Sequence, residues 1–536
     1  MSFDGLSRAR SAGARDDEAE RCLVAPYPEL LDRIRDDRRR LRDRGVAAPG
    51  ALTFRQPQRP GLNDGTIIPP SDFPLGTPFA RIRRAAAERA PLRGTVRVIV
   101  VLVDFDDKQM TEDADHFREL FFSQGTLPNG SVRDFYKEVT KGLIDIEGEV
   151  VGPYRLPHKV AEYSHGENGT GTAEPNAQTM ALDAATAADP DVDFGPYDND
   201  GNGYVDAFIV IHAGRGGEVT GDPDDIWSHK WVLPHGEYQA DAAKIYAYLT
   251  VPEDSRIGVC CHELGHLLFG WPDLYDVDYS SNGLGDWCLM AGGSWNGDDG
   301  DTPAHPSAWC KAQQGWVTVD NQKAAETVTF NDVKDDAHVR RLWKDGGAND
   351  EYFLVENRQR TGYDRGLPSD GLLVYHVDDS VDTNADESHY KVGLIQADGQ
   401  RELEKGTSEG DDGDPYPGSK GNSELSGATV PNTHSYSGLD TSVAITGITA
   451  SGAVITAQCT VSAKATEPTL RRGSRGPAVV RLQQAIAALG FDPGPADGKF
   501  GARTEAAVRA YQTARGLTVD GIVGPQTWAA LHADGQ

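Results

Sequence analysis

The residues with the clearest chemistry in this 536-residue chain are His262, Glu263 and His266, an H-E-x-x-H motif inside the apolar run IGVCCHELGHLLF. Positions four apart on an α-helix lie about 40° apart around its axis, so both imidazoles can aim at one metal ion with Glu263 beside it. That is a zinc pattern: two imidazoles, a further protein ligand, and one open position where a water is acidified to a pKa of ~7. A carboxylate next to that water can take its proton and hand it to a leaving amine, so Glu263 reads as the catalytic base. The chemistry this implies is hydrolysis of an amide bond.

The helix should stop at Gly270, a suitable left-handed cap followed by Pro272. After Glu263 the next glutamate is Glu326, so a glutamate ligand from a later helix is a poor solution. The segment just past the glycine, GWPDLYDVD, offers Asp273 first and then Asp276 and Asp278. Asp273 is the first choice for the third zinc ligand, with Asp276 and His305 as the runners-up.

A second constellation runs from Asp198 to Asp206 with the sequence DNDGNGYVD. Oxygen side chains at alternate positions, with glycines between them, let a short loop wrap a hard cation. The candidate calcium ligands are Asp198, Asp200, Asn202, the carbonyl of Tyr204, and Asp206. The loop departs from an EF-hand, because its twelfth position is Ile209 and supplies no bidentate glutamate. The plain alternative is an Asx/Gly turn ahead of a strand. For GDDGDPYPGS (410–419) the turn and a second cation site are equally good readings.

Six cysteines are too few for a disulfide framework in a chain of this length. Cys260 and Cys261 precede His262 and read as buried apolar residues. Cys22, in AERCLVAPYPELL, is different: a thiolate from an N-terminal segment can occupy the open zinc position and keep a protease latent.

The elements that must position these residues follow from periodicity. Residues 1–94 read as an N-terminal extension and candidate pro-segment. In it, Leu30, Leu31, Ile34 and Leu41 mark one amphipathic helix over 28–45, followed by a Pro/Gly-rich strap. VRVIVVLVDF (96–105) and AFIVIHAG (207–214) are apolar without alternation, as strands buried on both faces should be. SVRDFYKEVTKGLIDIEGEV between them reads as a helix running into a strand, which makes an α/β unit over 95–319. Residues 320–460 carry several short strands with Gly/Asp-rich loops, a β-rich accessory region, and 461–468 is a polar linker. In 469–536, DGKFGARTEAAV (497–508) and DGIVGPQTWAAL (520–531) repeat at a period of 23 residues. With RGPAVVRLQQAIAALG they form a three-helix module in which Thr504 and Thr527 are expected to cap helix N-termini.

Composition narrows the partners. With 52 Lys+Arg against 82 Asp+Glu the net charge is -30, which argues against nucleic acid. Mean hydropathy is -0.49, and no apolar run approaches the ~20 residues of a membrane helix. The first residues, MSFDGLSRARSAGARDDEAE, lack the apolar stretch of a secretory signal.

HELGHLLFGWPDLYD, followed by GDWCLMAGGSWNG and HPSAWCKAQQGWV, resembles the immune inhibitor A type of bacterial zinc metalloproteases, over roughly residues 95–460. The resemblance implies a zincin-type α+β catalytic domain acting on protein or peptide substrates, with Met290 in the Met-containing turn under the metal. Cys288 and Cys310 flank that turn and are candidates to pair. One departure stands out: Leu267, Leu268 and Phe269 separate His266 from Gly270, where the family signature has two residues. The extra residue rotates the helix exit by ~100°.

The C-terminal module resembles the type 1 peptidoglycan-binding domain of bacterial cell-wall enzymes. This implies tethering to peptidoglycan through 469–536 and an extracellular or wall-associated location. The reading favours a zinc-dependent endopeptidase, with Zn2+ and Ca2+ as its ions. The alternatives are a peptidoglycan cross-bridge hydrolase using the same site, or a non-catalytic wall-binding protein.

Overall fold

Strand β1 (Gly94–Asp104) is buried from Val98 to Val103 because its Val, Ile and Leu side chains leave no polar face. Its pleat sends Val96, Val98, Val100 and Leu102 into one core and Ile99, Val101 and Val103 into another. The second core is closed by an alanine-rich helix whose Ala177, Ala181, Ala184 and Ala188 allow close packing on the sheet. The computed structural model describes residues 24–43, 67, 69–78, 81–82, 85, 89–462 and 468–534. The chain divides into two units, Met1–Ser462 and Ala463–Gln536.

In the first unit, helix α1 (Pro28–Asp43) precedes β1. Helices α2 (Ala114–Phe122) and α3 (Val132–Val139) lead to β2 (Ile144–Arg155), and α4 (Ala177–Ala188) to β3 (Phe208–His212). Then come β4 (His229–Val232), β5 (Ala247–Pro252) and α5 (Ile257–Phe269). The sheet order is β2-β1-β3-β5-β4, parallel except for the edge strand β4, which runs antiparallel to β5. A capping box between Ser131 and Asp134 starts α3, and its Tyr136 hydroxyl donates to Cys261 O at 2.7 Å, holding α3 against α5.

After α6 (Ala308–Gln313) the chain turns to strands. These are β6 (Thr318–Asn321), β7 (Glu326–Asn331), β8 (His338–Trp343), β9 (Glu351–Arg358), β10 (Gly371–Asp378), β11 (Val392–Leu394), β12 (Glu424–Leu425), β13 (Val443–Thr446) and β14 (Val454–Val461). They form two sheets, ordered β11-β10-β9-β8-β6 and β12-β13-β14-β7. One face of β9 and β10 (Phe353, Val355, Leu372, Val374) packs on the second sheet. The other (Leu354, Leu373, Tyr375, Val377) joins the core that holds α5. Residues 320–460 therefore share a core with the α/β part.

That junction contains a buried ion network. Lys311 of α6 lies 2.5 Å from Glu356, and Arg358 reaches Asp364 (2.7 Å), Glu356 (3.3 Å) and the carbonyls of Trp287 and His305 (both 3.4 Å). Tyr375 donates to Glu356 and the His305 amide to Asp364, both at 2.9 Å.

The second unit has helices α7 (Pro477–Ala488), α8 (Ala502–Ala514) and α9 (Pro525–Asp534) around Leu482, Ile486, Val508, Tyr511 and Trp528. Gln483 accepts from Gly498 N and donates to Lys499 O, Asp497 and Thr504. Gln512 does the same with Gly521 N, Ile522 O, Asp520 and Thr527. The threonine expectation is corrected here. Gly501 takes the N-cap of α8, and Thr504 lies inside the helix, where its hydroxyl donates to Pro493 O and accepts from Gln483. Thr527 likewise lies within α9, donates to Ile522 O and accepts from Gln512.

Candidate active site

All thirteen residues of α5 are buried, because the helix is apolar on every side except at its histidines and Glu263. Two glycines make room for it. A Cβ at Gly258 would stand 1.9 Å from Ser294 O, and one at Gly265 would stand 2.7 Å from Met290 Sδ. Met290 thus lies under the turn of helix between the two histidines. The helix ends at Gly270 (φ 63°), whose N–H donates to His266 O, while Trp271 N–H reaches back to Gly265 O.

The loop beyond is pinned to the Met290 turn. Leu274 N–H donates to Met290 O at 2.7 Å, and Leu274 O accepts from Leu284 N and Asn384 Nδ2. This anchoring absorbs the additional helical residue and carries Asp273 to the histidines. His262 Nε2 and His266 Nε2 are 3.0 Å apart, and Asp273 Oδ1 lies 3.1 and 3.3 Å from them. A tetrahedral ion with bonds of about 2.0–2.1 Å has ligand-to-ligand edges of about 3.3 Å, so the three atoms stand at the corners such an ion requires. The opposite ring nitrogens are fixed: His262 Nδ1 faces Leu289 O (2.9 Å) and His266 Nδ1 faces Trp271 O (2.6 Å). A carbonyl holds its proton on Nδ1 and leaves the Nε2 lone pair for a metal.

Glu263 completes the group, with a ligand atom within 4.8 Å of those of both histidines. Its carboxylate is buried, and neither oxygen has a hydrogen-bond partner among the described residues. Burial, with Asp273 and Glu218 adding, pushes its carboxyl up to about 8, against the opposing pull of His262 and Lys230. Burial also works against ionised Asp273, but the two imidazoles outweigh it and hold that carboxyl below its usual range.

The other sequence candidates separate cleanly. Asp276 turns away to accept from Ser280, Ser281 and the Asp278 amide. His305 pairs with Glu138 at 2.9 Å. Cys260, Cys261, Cys288 and Cys310 are buried free thiols, so the pairing considered for Cys288 and Cys310 is not made. Cys22 lies outside the described residues.

A strap formed by Val24 and the residues through α1 lies across this region. Val24 N–H donates to Ser228 O beside edge strand β4, and Trp227 Nε1 donates to Val24 O. Trp295, in the turn after Met290, donates from Nε1 to Ala25 O and packs edge-on to Tyr27. Tyr27 N–H donates to the carbonyl of Glu218, whose carboxylate is buried against Ser228. The strap therefore bridges the edge strand and the Met290 turn, and His262, Glu263, His266 and Asp273 are at most 2% exposed.

In the loop of Asp198 to Asp206, the carboxylates of Asp198, Asp200 and Asp206 converge to within 4.8 Å. The cation they meet is Arg89, with Nε 2.6 Å from Asp200 and a terminal nitrogen 2.7 Å from Asp206. Asp198 accepts from the amides of Gly201, Asn202 and Gly203, and Asn202 Oδ1 from Tyr204 N. Sequence reasoning missed Arg89, since nothing in RAAAERAPLR distinguishes it from its neighbours. In the 410–419 loop, Asp411 joins Asp398 and Glu402 in a second acidic group.

Residues 91–319 match the family model described as "Immune inhibitor A peptidase M6, catalytic domain", and residues 475–531 match "Putative peptidoglycan binding domain". Pre-pro-metalloprotease PrtV of Vibrio cholerae serotype O1 (strain M66-2) is 30% identical over 271 residues, 40% of this chain and 29% of that protein. Immune inhibitor A of Bacillus thuringiensis subsp. alesti is 29% identical over 280 residues, 42% of this chain and 40% of that protein. The C-terminal segment is similar to zinc D-Ala-D-Ala carboxypeptidase of Streptomyces albus G, 44% identical over 69 residues, 12% of this chain and 26% of that protein. The chain thus spans well under two thirds of the length of each relative.

Proposed function

We propose, on the premise of the matches of residues 91–319 to an immune inhibitor A peptidase M6 catalytic domain and of residues 475–531 to a peptidoglycan binding domain, that this chain is a zinc-dependent endopeptidase tethered to the bacterial cell wall. The observation that carries this reading is the triangle of His262 Nε2, His266 Nε2 and Asp273 Oδ1, with edges of 3.0–3.3 Å. These three residues would hold zinc, which supplies a Lewis acid for the scissile carbonyl and acidifies a water in its open position. Glu263 accepts that water's proton on a carboxylate oxygen and returns it to the leaving nitrogen. The Leu289 and Trp271 carbonyls keep the imidazoles oriented, and Met290 supports the helix beneath them.

Calcium at Asp198, Asp200, Asn202, the Tyr204 carbonyl and Asp206 belongs to the same reading, with Arg89 as the internal cation it would displace. Latency does too: the strap packed on Ser228 and Trp295 closes the cleft in the full chain, and Cys22, just before Val24, is the candidate fourth zinc ligand. An unchanged activity of full-length Cys22→Ala would count against that role.

A second reading makes peptide cross-bridges of peptidoglycan the substrate. It is favoured by the module's similarity to a carboxypeptidase named for D-Ala-D-Ala. The intact H-E-x-x-H motif speaks against a non-catalytic wall-binding protein. Incubation with casein and with purified sacculi separates the enzymes: cleaved casein with intact sacculi supports the protein endopeptidase, and the reverse supports the cross-bridge hydrolase.

A further inference from the structure

Helix α1 carries six arginines, and two of them, Arg35 and Arg38, reach the loop that follows Asp273; Arg38 meets only Asp278, through its carbonyl and its carboxylate. Arg39 pairs with Asp36 and Arg40 with Asp37 on the helix's own exposed side. Arg35 engages four groups of the catalytic unit at once. Its guanidinium donates to Ser281 O (2.9 Å), Tyr279 O (3.5 Å), Asn282 Oδ1 and Glu409 Oε1 (3.2 Å). Two backbone carbonyls, an amide oxygen and a carboxylate arranged around one planar fork are a guanidinium receptor, whereas an incidental surface pair would need only the last.

The receptor is built on the frame of the proposed catalytic centre. Tyr279, Ser281 and Asn282 belong to the loop that begins at Asp273, and the same cavity is lined by Gly292 and Trp295 of the turn after Met290. Glu409 and Asp286 stand together at its base. A Cβ at Gly292 would lie 3.0 Å from Glu409 Oε2 and 3.1 Å from Asp286 Oδ1. Burial pushes both carboxyls up and their mutual repulsion raises Asp286 further, while Arg35 pulls Glu409 back down. These carboxylates therefore gain from a cation. When the strap is displaced, Arg35 leaves, and the receptor with its carboxylates stays.

We propose that this pocket is a specificity subsite for a basic side chain of the substrate, with arginine preferred, and that Arg35 occupies it as an internal substrate mimic. The inference rests on the endopeptidase reading for its role, and on the pocket's own chemistry for its ligand. Glu409 and Asp286 select positive charge, and the carbonyls of Tyr279 and Ser281 with Asn282 select the fork of arginine over the point charge of lysine.

Two measurements test it. In the first, a denatured protein mixture is digested with the full chain and with its Arg35→Ala and Glu409→Gln variants, and the cut positions are read by mass spectrometry. Arginine, with lysine behind it, should be enriched at one fixed position relative to the cut. Glu409→Gln should lower cutting at those sites on the order of tenfold relative to other sites. Robust cutting without basic enrichment, or enrichment that survives both Glu409→Gln and Asp286→Asn, overturns the proposal. If no form cuts even after limited proteolysis has removed the strap, the endopeptidase reading fails, and the pocket is judged by the second measurement alone. Methylguanidinium should produce a saturable rise in Tm of full-length Arg35→Ala, absent from the wild type and from Arg35→Ala/Glu409→Gln. No rise in Arg35→Ala overturns the pocket as well.

Discussion

Met290 Sδ would stand 2.7 Å from a Cβ on Gly265, so the sulfur occupies the place a side chain at Gly265 would need. Trp271 closes the same space at 3.0 Å. Gly265→Ala therefore overpacks the floor of the proposed metal centre. Overpacking of this kind costs about 1–3 kcal/mol, and denaturant unfolding should show a loss in that range. Because the displaced helix turn carries His262 and His266, bound metal should fall as well. A variant as stable and as metal-loaded as the wild type would show that the Met290 contact is not formed.

Arg358 should be among the most costly residues to change. It is fully buried, and it joins β9 to Asp364, Glu356 and the carbonyls of Trp287 and His305. Removing one partner leaves the others buried and charged, at a cost of about 3–5 kcal/mol. Arg358→Ala should lower the urea midpoint accordingly, and the loss should reach the site because Trp287, whose carbonyl Arg358 holds, lies three residues before Met290.

Stability should fall in acid partly through Glu351. Burial acts to raise its carboxyl, but hydrogen bonds from His376 and Lys344 and the Tyr436 amide outweigh this and hold it at about 2, against an ordinary value near 4.5. A depressed carboxylate stabilises the fold above its unfolded pKa and loses that contribution as pH drops from about 4.5 through 2. At ~1.4 kcal/mol per unit this is on the order of 3 kcal/mol. Glu351→Gln should flatten the stability profile in that window while costing stability at pH 7; an unchanged acid slope would contradict the assignment.

The histidines and Glu263 were legible because their information is local: two imidazoles four apart on an apolar helix define a face before any tertiary contact forms. Asp273 was legible as one of three choices only. What singles it out is the hydrogen bond from Leu274 to Met290 and the engagement of Asp276 by serines, contacts that span the loop and leave no periodic trace. Arg89 and Arg35 were invisible for the same reason, since each meets carboxylates more than a hundred residues away. Thr504 and Thr527 misled because their true partners, Gln483 and Gln512, sit on the preceding helix of each repeat. The short strands separated by Gly/Asp-rich loops were legible, yet both faces of β9 and β10 proved buried, which hides the shared core from a pattern reading.

Arg89 supplies a prediction of its own. If Asp200 and Asp206 form a calcium loop that this guanidinium fills, Arg89→Ala should bind calcium more tightly than the wild type, read as a larger calcium-dependent rise in Tm. Calcium that stabilises neither form would remove the loop from the list of metal sites.

The most direct test of the proposed catalytic centre is a paired determination of zinc content and proteolysis on Glu263→Gln. The three ligand atoms belong to His262, His266 and Asp273, so the variant should keep about one zinc per chain while losing nearly all proteolysis. Proteolysis retained in Glu263→Gln, or active wild-type protein without zinc, would contradict the account.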